Sequence, residues 1–327
     1  MFGQRKGEDS MSVRFGGLLL ISAAFAGAAP ALPAESRIEK TLRLEPGGTF
    51  TLQADLGRVR LTGTDRPGAR IIVTSRRDDL EDVLRFQFEE GAGTAKVVAR
   101  KRHPISSFFG VRGGSIVFEV EVPAQTRVVV DTSGGSISIA GVGSSAKLET
   151  SGGAIEVRDQ TGDLTAHTSG GSISLSRVRG KSRVDTSGGG IRAEELEGPI
   201  DAETSGGSID FDRVTGDIHA HSSGGGIRIR EAGGRVDAGT SGGSVQVAFT
   251  RANARGGTIE SSGGGVSVSV DPSVGLAIDA SGNSVDSDLP ITVRGQISRR
   301  HLQGVLGRGG ETLRLRTSGG SVRIKPL

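Results

Sequence analysis

Ser-Gly-Gly recurs at Ser133, Ser151, Ser169, Ser187, Ser205, Ser223 and Ser241, and every interval between these copies is 18 residues. Further copies start at Ser262 and Ser318, and a degenerate Ser-Gly-Asn starts at Ser281. A strict period of this kind means a chain of short equivalent units, each touching mainly its neighbours, and it has to be interpreted before any motif inside it.

Aligned on the serine, the copies show which positions face inward. Four residues later stands a β-branched residue in every copy: Ile137, Ile155, Ile173, Ile191, Ile209, Ile227, Val245, Val266, Val285 and Val322. Two residues further on come Ile139, Val157, Leu175, Ala193, Phe211, Ile229, Val247 and Val268, separated mostly by polar residues. Alternation with period two is a half-buried strand. A second alternation follows, as in "DLTAHT" from Asp163 and "DIHAHS" from Asp217, so each unit holds two short strands. The paired glycines mark a corner between them, where positive φ and close backbone approach cost least.

One such unit cannot stand alone, because ordering 18 residues costs more conformational entropy than four or five buried apolar side chains return. Units must stack and share backbone hydrogen bonds, with equivalent residues in rows. The expected fold is therefore all-β: a single-stranded β-solenoid, β-helix-like, with 18-residue coils, irregular amino-terminal strands and a carboxy-terminal cap. An antiparallel meander of hairpins is the structural alternative.

Residues 1–34 read as a secretory signal peptide: basic Arg14, an apolar run from Phe15 to Ala26, then small residues ending near Ala31 or Ala34, with Met11 an alternative start. The run is too short and glycine-rich for a convincing span, so the mature chain is expected to be exported without a transmembrane segment. Removing these residues takes three cations and two acids from the formal +3, leaving +2, a balance that gives no reason to expect a nucleic-acid partner. Absence of cysteine excludes disulfides, a thiolate metal site, a thiol nucleophile and a lipidated cysteine.

The expected organisation is an amino-terminal β segment with hairpins over 35–130, regular repeats over 131–270, and degenerate repeats with a cap over 271–327. "ADLGRVRLTG" from Ala54 resembles a worn repeat, and the segment from Leu84 to Arg102 reads as a hairpin turning at Gly91–Gly93. Atypical terminal units suit a stack whose open ends would otherwise be sticky. The passage "VEVPAQTRVVVDTSGGSISIAGV", the serial "TSGG(S/G)I" units and the closing "GGETLRLRTSGGSVRIKP" resemble the bacterial DUF4097 family, whose members carry an adhesin label, and more distantly the head-domain family of autotransporter adhesins. The likeness covers roughly residues 40–327. It implies an exported β-solenoid and brings no catalytic residues.

Several motifs tempt a chemical reading. "GTSGG", Gly239–Gly243, fits a nucleophile elbow with Ser241 as nucleophile, but no strand-to-helix turn is expected and Ser241 is one member of the serine row. "GKS" at 180–182 lacks the glycine and helix of a phosphate loop, and the nine-residue calcium-binding repeat is missing. The threonine column from Thr132 to Thr240 shares the parity of inward alanines, which fits a structural ladder better than an ice-binding face.

Two candidate sites remain. Asp201, Glu203, His219 and His221 are predicted to form an exposed square on adjacent units. Imidazoles and carboxylates are zinc-competent ligands, whereas a solvated ladder of alternating charge explains the same residues without metal. Arg100, Lys101, Arg102, Phe108 and Phe109 form a basic, aromatic loop that either touches an anionic envelope surface or partner, or caps the stack. Together these features predict a non-enzymatic, adhesin-like or structural module at the cell envelope, needing no cofactor, in the periplasm or at the surface. Its partner would be an envelope protein or polysaccharide, and self-association is left open. The alternatives are a carbohydrate-active β-helix enzyme, disfavoured by the lack of Trp and Tyr for sugar stacking, and a metal-binding envelope protein.

Overall fold

The structure is a computed structural model and describes residues 36–76, 80–102, 116–294 and 298–327. The expected leader, Phe108 and Phe109 lie outside the described residues. The described chain is almost entirely β, with one short helix at Leu80–Val83. Its strands form two sheets of 14 and 15 strands.

Each regular copy contributes one strand to either sheet. In the first sheet Ile155–Thr161, Ile173–Arg179, Ile191–Glu197, Ile209–Val214 and Ile227–Ala232 run parallel as neighbours, with Ile173 paired to Ile155 on one side and Ile191 on the other. In the second, Leu164–Thr168, Ser182–Thr186, Ile200–Thr204, Ile218–Ser222 and Val236–Thr240 do the same. The pairing offset is 18 residues in both, for example Ala202 with Ala220, so equivalent side chains form rows. The antiparallel meander is excluded over this stretch.

The inward rows fill a continuous apolar core between the sheets. Ile173, Ile191, Ile209 and Ile227 are buried, as are the partners on the opposite strands such as Val184, Ala202 and Ala220. Size is balanced within a row: buried Phe211 stacks beside Ala193, whose small side chain leaves room for the ring.

The Thr-Ser-Gly-Gly corner has a mechanical reason for each position. Thr168 Oγ1 donates to the Gly153 carbonyl of the preceding copy at 2.8 Å and accepts the Gly171 N–H of its own corner at 3.2 Å. The same pair of bonds recurs at Thr150, Thr186, Thr204, Ser222, Thr240, Ser261 and Thr317. Thus the buried hydroxyl row links each corner to the one before it rather than bonding to itself. The motif serine and first glycine add backbone bonds between copies, as in Gly206 N–H to Ser187 O at 2.9 Å.

The expectation that these glycines supply positive φ is not met: none of the repeat's Ser-Gly-Gly glycines lies in the left-handed region. Close approach is the reason, for the second of them in every copy and for the first only at Gly242, Gly263 and Gly319. A Cβ on Gly189 would overlap the Gly171 carbonyl, whereas one on Gly188 would meet nothing nearer than 3.4 Å.

Both ends depart from chain order. Thr312–Thr317 inserts between Gly257–Ser261 and Leu276–Ser281 in the second sheet, and Ser321–Pro326 between Val266–Val270 and Ser284–Ser287 in the first. The last Ser-Gly-Gly copy is therefore slotted inside the preceding degenerate one. At the other end Thr49–Ala54 and Arg58–Thr64, the worn repeat, lie against Arg127–Thr132 and Ile137–Ala140, with Thr94–Lys101 and Ile116–Pro123 outside them. Antiparallel strands close each end: Leu84–Gly91 forms the expected hairpin with Thr94–Lys101, Ala69–Ser75 covers Ile116–Pro123, and His301–Leu306 covers Leu276–Ser281. Among the described residues no helix is long and apolar enough to cross a membrane.

Candidate functional site

Outward residues of the second sheet form the charged columns expected from sequence. Asp201 pairs in register with His219, and Glu203 with His221. Strand geometry sets residues i and i+2 on the same face, so the four occupy one patch. The structure gathers three of them: a carboxylate oxygen from each of Asp201 and Glu203 and one ring nitrogen of His219 lie within 4.8 Å of one another. His221 falls outside this group.

Donors held about 2 Å from a zinc ion sit closer to each other than this limit, so small side-chain rotations would complete three-point coordination with a fourth place open to water. Asp201 Oδ1 is shielded from solvent and has no hydrogen-bond partner, while Oδ2 lies 3.5 Å from Arg183 Nη1. In the neighbouring column, that of Glu203 and His221, His167 Nδ1 stands 3.3 Å from Asp185 Oδ1, the pairing that a charge ladder without metal produces.

Sequence reasoning missed a second feature, at a bend within the first-sheet strands near their ends. Asp159, Arg177, Glu195, Arg213 and Glu231, each eight residues after a motif serine, have φ between 53° and 58°. Left-handed backbone costs a side-chain-bearing residue about 1–2 kcal/mol, yet five successive copies accept it. The turn breaks the period-two pattern, so that Gln160, Val178, Leu196, Val214 and Ala232 point into the core directly afterwards. That skip, from positions four and six to position nine after the serine, was the signal available in the sequence.

The residues in this column alternate in charge along the stack. Arg177 grips Asp159 through Nε at 2.6 Å and Nη2 at 3.0 Å, and Arg213 reaches Glu194 at 2.7 Å and Glu195 at 3.3 Å. The Arg177 guanidinium holds the Asp159 carboxyl below the usual carboxylate range. Asp159, Arg177, Glu195 and Arg213, together with Arg179, Glu197, Thr161 and Thr215, line a groove of about 400 Å³. It runs across successive copies and is bordered by ion pairs that are already mutually satisfied.

Of the predicted basic loop, the described residues are Arg100, Lys101 and Arg102. They stand at the end of the amino-terminal hairpin, far along the second sheet from the histidine patch. Ser241 sits in an ordinary corner of the array, its N–H bonded to the Ser222 carbonyl at 3.2 Å.

No family model and no curated protein matches the chain. Among solved structures it is similar to a "putative lipid binding protein" from Parabacteroides distasonis (12 % identity, TM-score 0.39, covering 89 % of this chain and 97 % of that one). It is also similar to a "putative adhesin" from Bacteroides fragilis (11 %, TM-score 0.32, 90 % and 99 %) and to a "putative cell adhesion protein" from Clostridium sporogenes (11 %, TM-score 0.22, 89 % and 100 %). With TM-scores this low, function has to be argued from the geometry of this chain itself.

Proposed function

We propose that the chain is an exported, non-enzymatic β-solenoid of 18-residue coils that acts as an adhesin-like or structural interaction module at the cell envelope. In this reading residues 1–34 are the signal peptide, 131–270 the regular coils, and 35–130 and 271–327 the closing segments. The resemblance to the DUF4097 family belongs to the same proposal. The observation that supports it is the 18-residue register that successive regular copies keep in both sheets, in which outward side chains stand in rows at the strand spacing of about 4.8 Å. Stiff rows of polar groups present many weak contacts at a fixed repeat, and such contacts add up on a partner that is itself repetitive, such as an envelope polysaccharide.

Expression of the full chain in a bacterial host, followed by fractionation and binding of the purified protein to isolated envelopes, tests this. Processing near Ala34, recovery in the envelope or periplasm, and saturable binding are expected. An unprocessed cytoplasmic protein that ignores envelopes would refute the proposal, and release of reducing ends from a polysaccharide would favour the carbohydrate-active alternative.

The gathered Asp201, Glu203 and His219 donors favour a second reading, a metal-binding envelope protein. Zinc calorimetry should show one site that His219→Ala abolishes and His221→Ala leaves largely intact. Equal heats in all three proteins would dismiss it.

A further inference from the structure

Cations on the strands of this protein are almost always set opposite acids or neutral residues, as Arg70 is to Glu121, Arg179 to Glu197 and Arg183 to Asp201. The amino-terminal hairpin breaks that habit. In its antiparallel register Arg85 faces Arg100, and among the described residues no other strand pairing sets two cations opposite each other. Like charges directly opposed across strands destabilise a pairing, so this arrangement lacks the internal compensation found elsewhere.

Among the described residues only one of the nearby cations forms an ion pair. Arg100 Nη1 bonds Asp55 Oδ1 at 2.8 Å, and Asp55 Oδ2 takes the Lys101 backbone N–H at 2.9 Å. Burial alone would raise the Asp55 pKa, but these two bonds outweigh it and hold the carboxyl below its ordinary range. The side chains of Arg85, Lys101 and Arg102 have no ion pair among the described residues. These four cations and Gln87 line a recess of about 320 Å³, and among the described residues no acidic side chain lines it.

We propose that this recess is an anion site for a phosphate group. Four cations against the one carboxylate of Asp55 leave a net charge of three among the described residues, which suits a dianionic phosphate better than a single carboxylate. Guanidinium forks, an ammonium and the Gln87 amide can also donate to several oxygens of a tetrahedral anion at once. The assignment deepens the envelope-module reading and rests on it for the source of the group, a phospholipid headgroup or a soluble phosphate.

The test uses the purified chain, inorganic phosphate and pyrophosphate in calorimetry, and co-sedimentation with vesicles of phosphatidylglycerol in phosphatidylcholine or of phosphatidylcholine alone. Binding is expected to weaken about tenfold for each cation removed in Arg85→Gln and Arg102→Gln, and to weaken further as salt rises from about 0.01 M to about 0.15 M. Arg251→Gln, remote from the recess, should change nothing. Lys101→Gln keeps the backbone tie to Asp55 and provides a folded variant should the double substitution unfold. Heats with phosphate but no vesicle retention identify a soluble source, and retention on anionic vesicles alone identifies the headgroup; either supports the site. Undiminished binding in the folded variants overturns it, as does self-association of the variants with binding unchanged, which would mean that the cations only guard the sheet edge. Envelope binding and phosphate heats that both survive in the Arg85→Gln/Arg102→Gln double variant sink the recess and leave the module reading standing. Phosphate binding by a chain that ignores envelopes does the reverse.

Discussion

The regular copies and the two ends of this molecule are made of the same strands, yet they are assembled by different rules. Between Arg127 and Val270 each copy lies on the one before it in the chain, the same missing Cβ and the same buried row recur at every step, and the same hydroxyl bonds recur from Thr150 onward. At the ends, chain order and stacking order part company: the copy at 312–326 lies inside the one at 276–287, and the copy at 49–64 lies inside strands that follow it in sequence. The lesson is that propagation and termination are separate problems. A repeat can be copied indefinitely because each edge is complementary to the next, but that same complementarity makes the last edge adhesive unless something different covers it. Here the cover is antiparallel at every sheet edge but that of Ser284–Ser287, which runs parallel to the copy threaded beneath it.

Removing residues 312–327 should therefore have the largest effect. The strands Gly257–Ser261 and Val266–Val270 lose their outer neighbours, and Leu276–Ser281 loses its parallel support. Hydrogen exchange should show protection lost over 257–287 and retained at Ile173–Arg179 and Ile191–Glu197, with soluble oligomers appearing in sedimentation. Uniform loss across the array would show that the ends and the middle unfold as one unit, contrary to the separation drawn above.

Next in size is a contrast between adjacent glycines. Gly189→Ala puts a methyl group into the preceding copy's carbonyl and should cost about 3 kcal/mol or more of unfolding free energy. Gly188→Ala, with space around its Cβ, should cost less than about 1 kcal/mol. Similar denaturation midpoints for the two would contradict the close-approach account.

The hydroxyl row offers a subtler comparison between middle and end. Thr204→Val deprives the Gly189 carbonyl and the Gly207 N–H of their side-chain partner, for about 1–3 kcal/mol. Thr132, the first of the row, is equally buried but its Oγ1 has no partner, so Thr132→Val should be neutral or slightly stabilising. If both behave alike, the row owes its threonines to shape and not to hydrogen bonding.

Smallest are the electrostatic effects. Hydrogen bonds hold the Asp159, Asp271 and Asp55 carboxyls below their ordinary pKa, through the Arg177 side chain for Asp159 and the Ser273 N–H and hydroxyl for Asp271. For Asp55 the bonds to Lys101 N–H and Arg100 overcome the opposing effect of burial. A depressed pKa means stability fully present above the unfolded-state value of about 3.9 and lost as pH falls through the folded-state values. The thermal midpoint should thus be flat from neutrality to about pH 5 and decline below about pH 4. Arg177→Gly relieves left-handed strain but loses the exposed pair with Asp159, so its net effect should lie within about 1 kcal/mol of zero.

Much of the candidate chemistry was legible in the residues. The columns through Asp201, Glu203, His219 and His221 follow from an 18-residue period and strand parity, and the structure puts them where those rules say. What parity cannot state is reach: His221 shares the face, but side-chain direction leaves its nitrogen outside the three-donor group. Likewise Lys101 and Arg102 were visible as a basic run. Their recess was not, because Arg85 joins it from 15 or more residues earlier only through the hairpin register.

The sequence alone determined the period, the inward rows and the identity of the corner, because these depend on local alternation and on a unit too small to fold without its neighbours. Only the tertiary structure decided that the second glycine is demanded by a carbonyl one copy away, that charged residues accept left-handed backbone at a bend in the first-sheet strands, and that the final copy is threaded inside its predecessor. Each of these depends on contacts between residues 18 or more positions apart. No pattern read along a single unit contains the shape of the unit lying beside it.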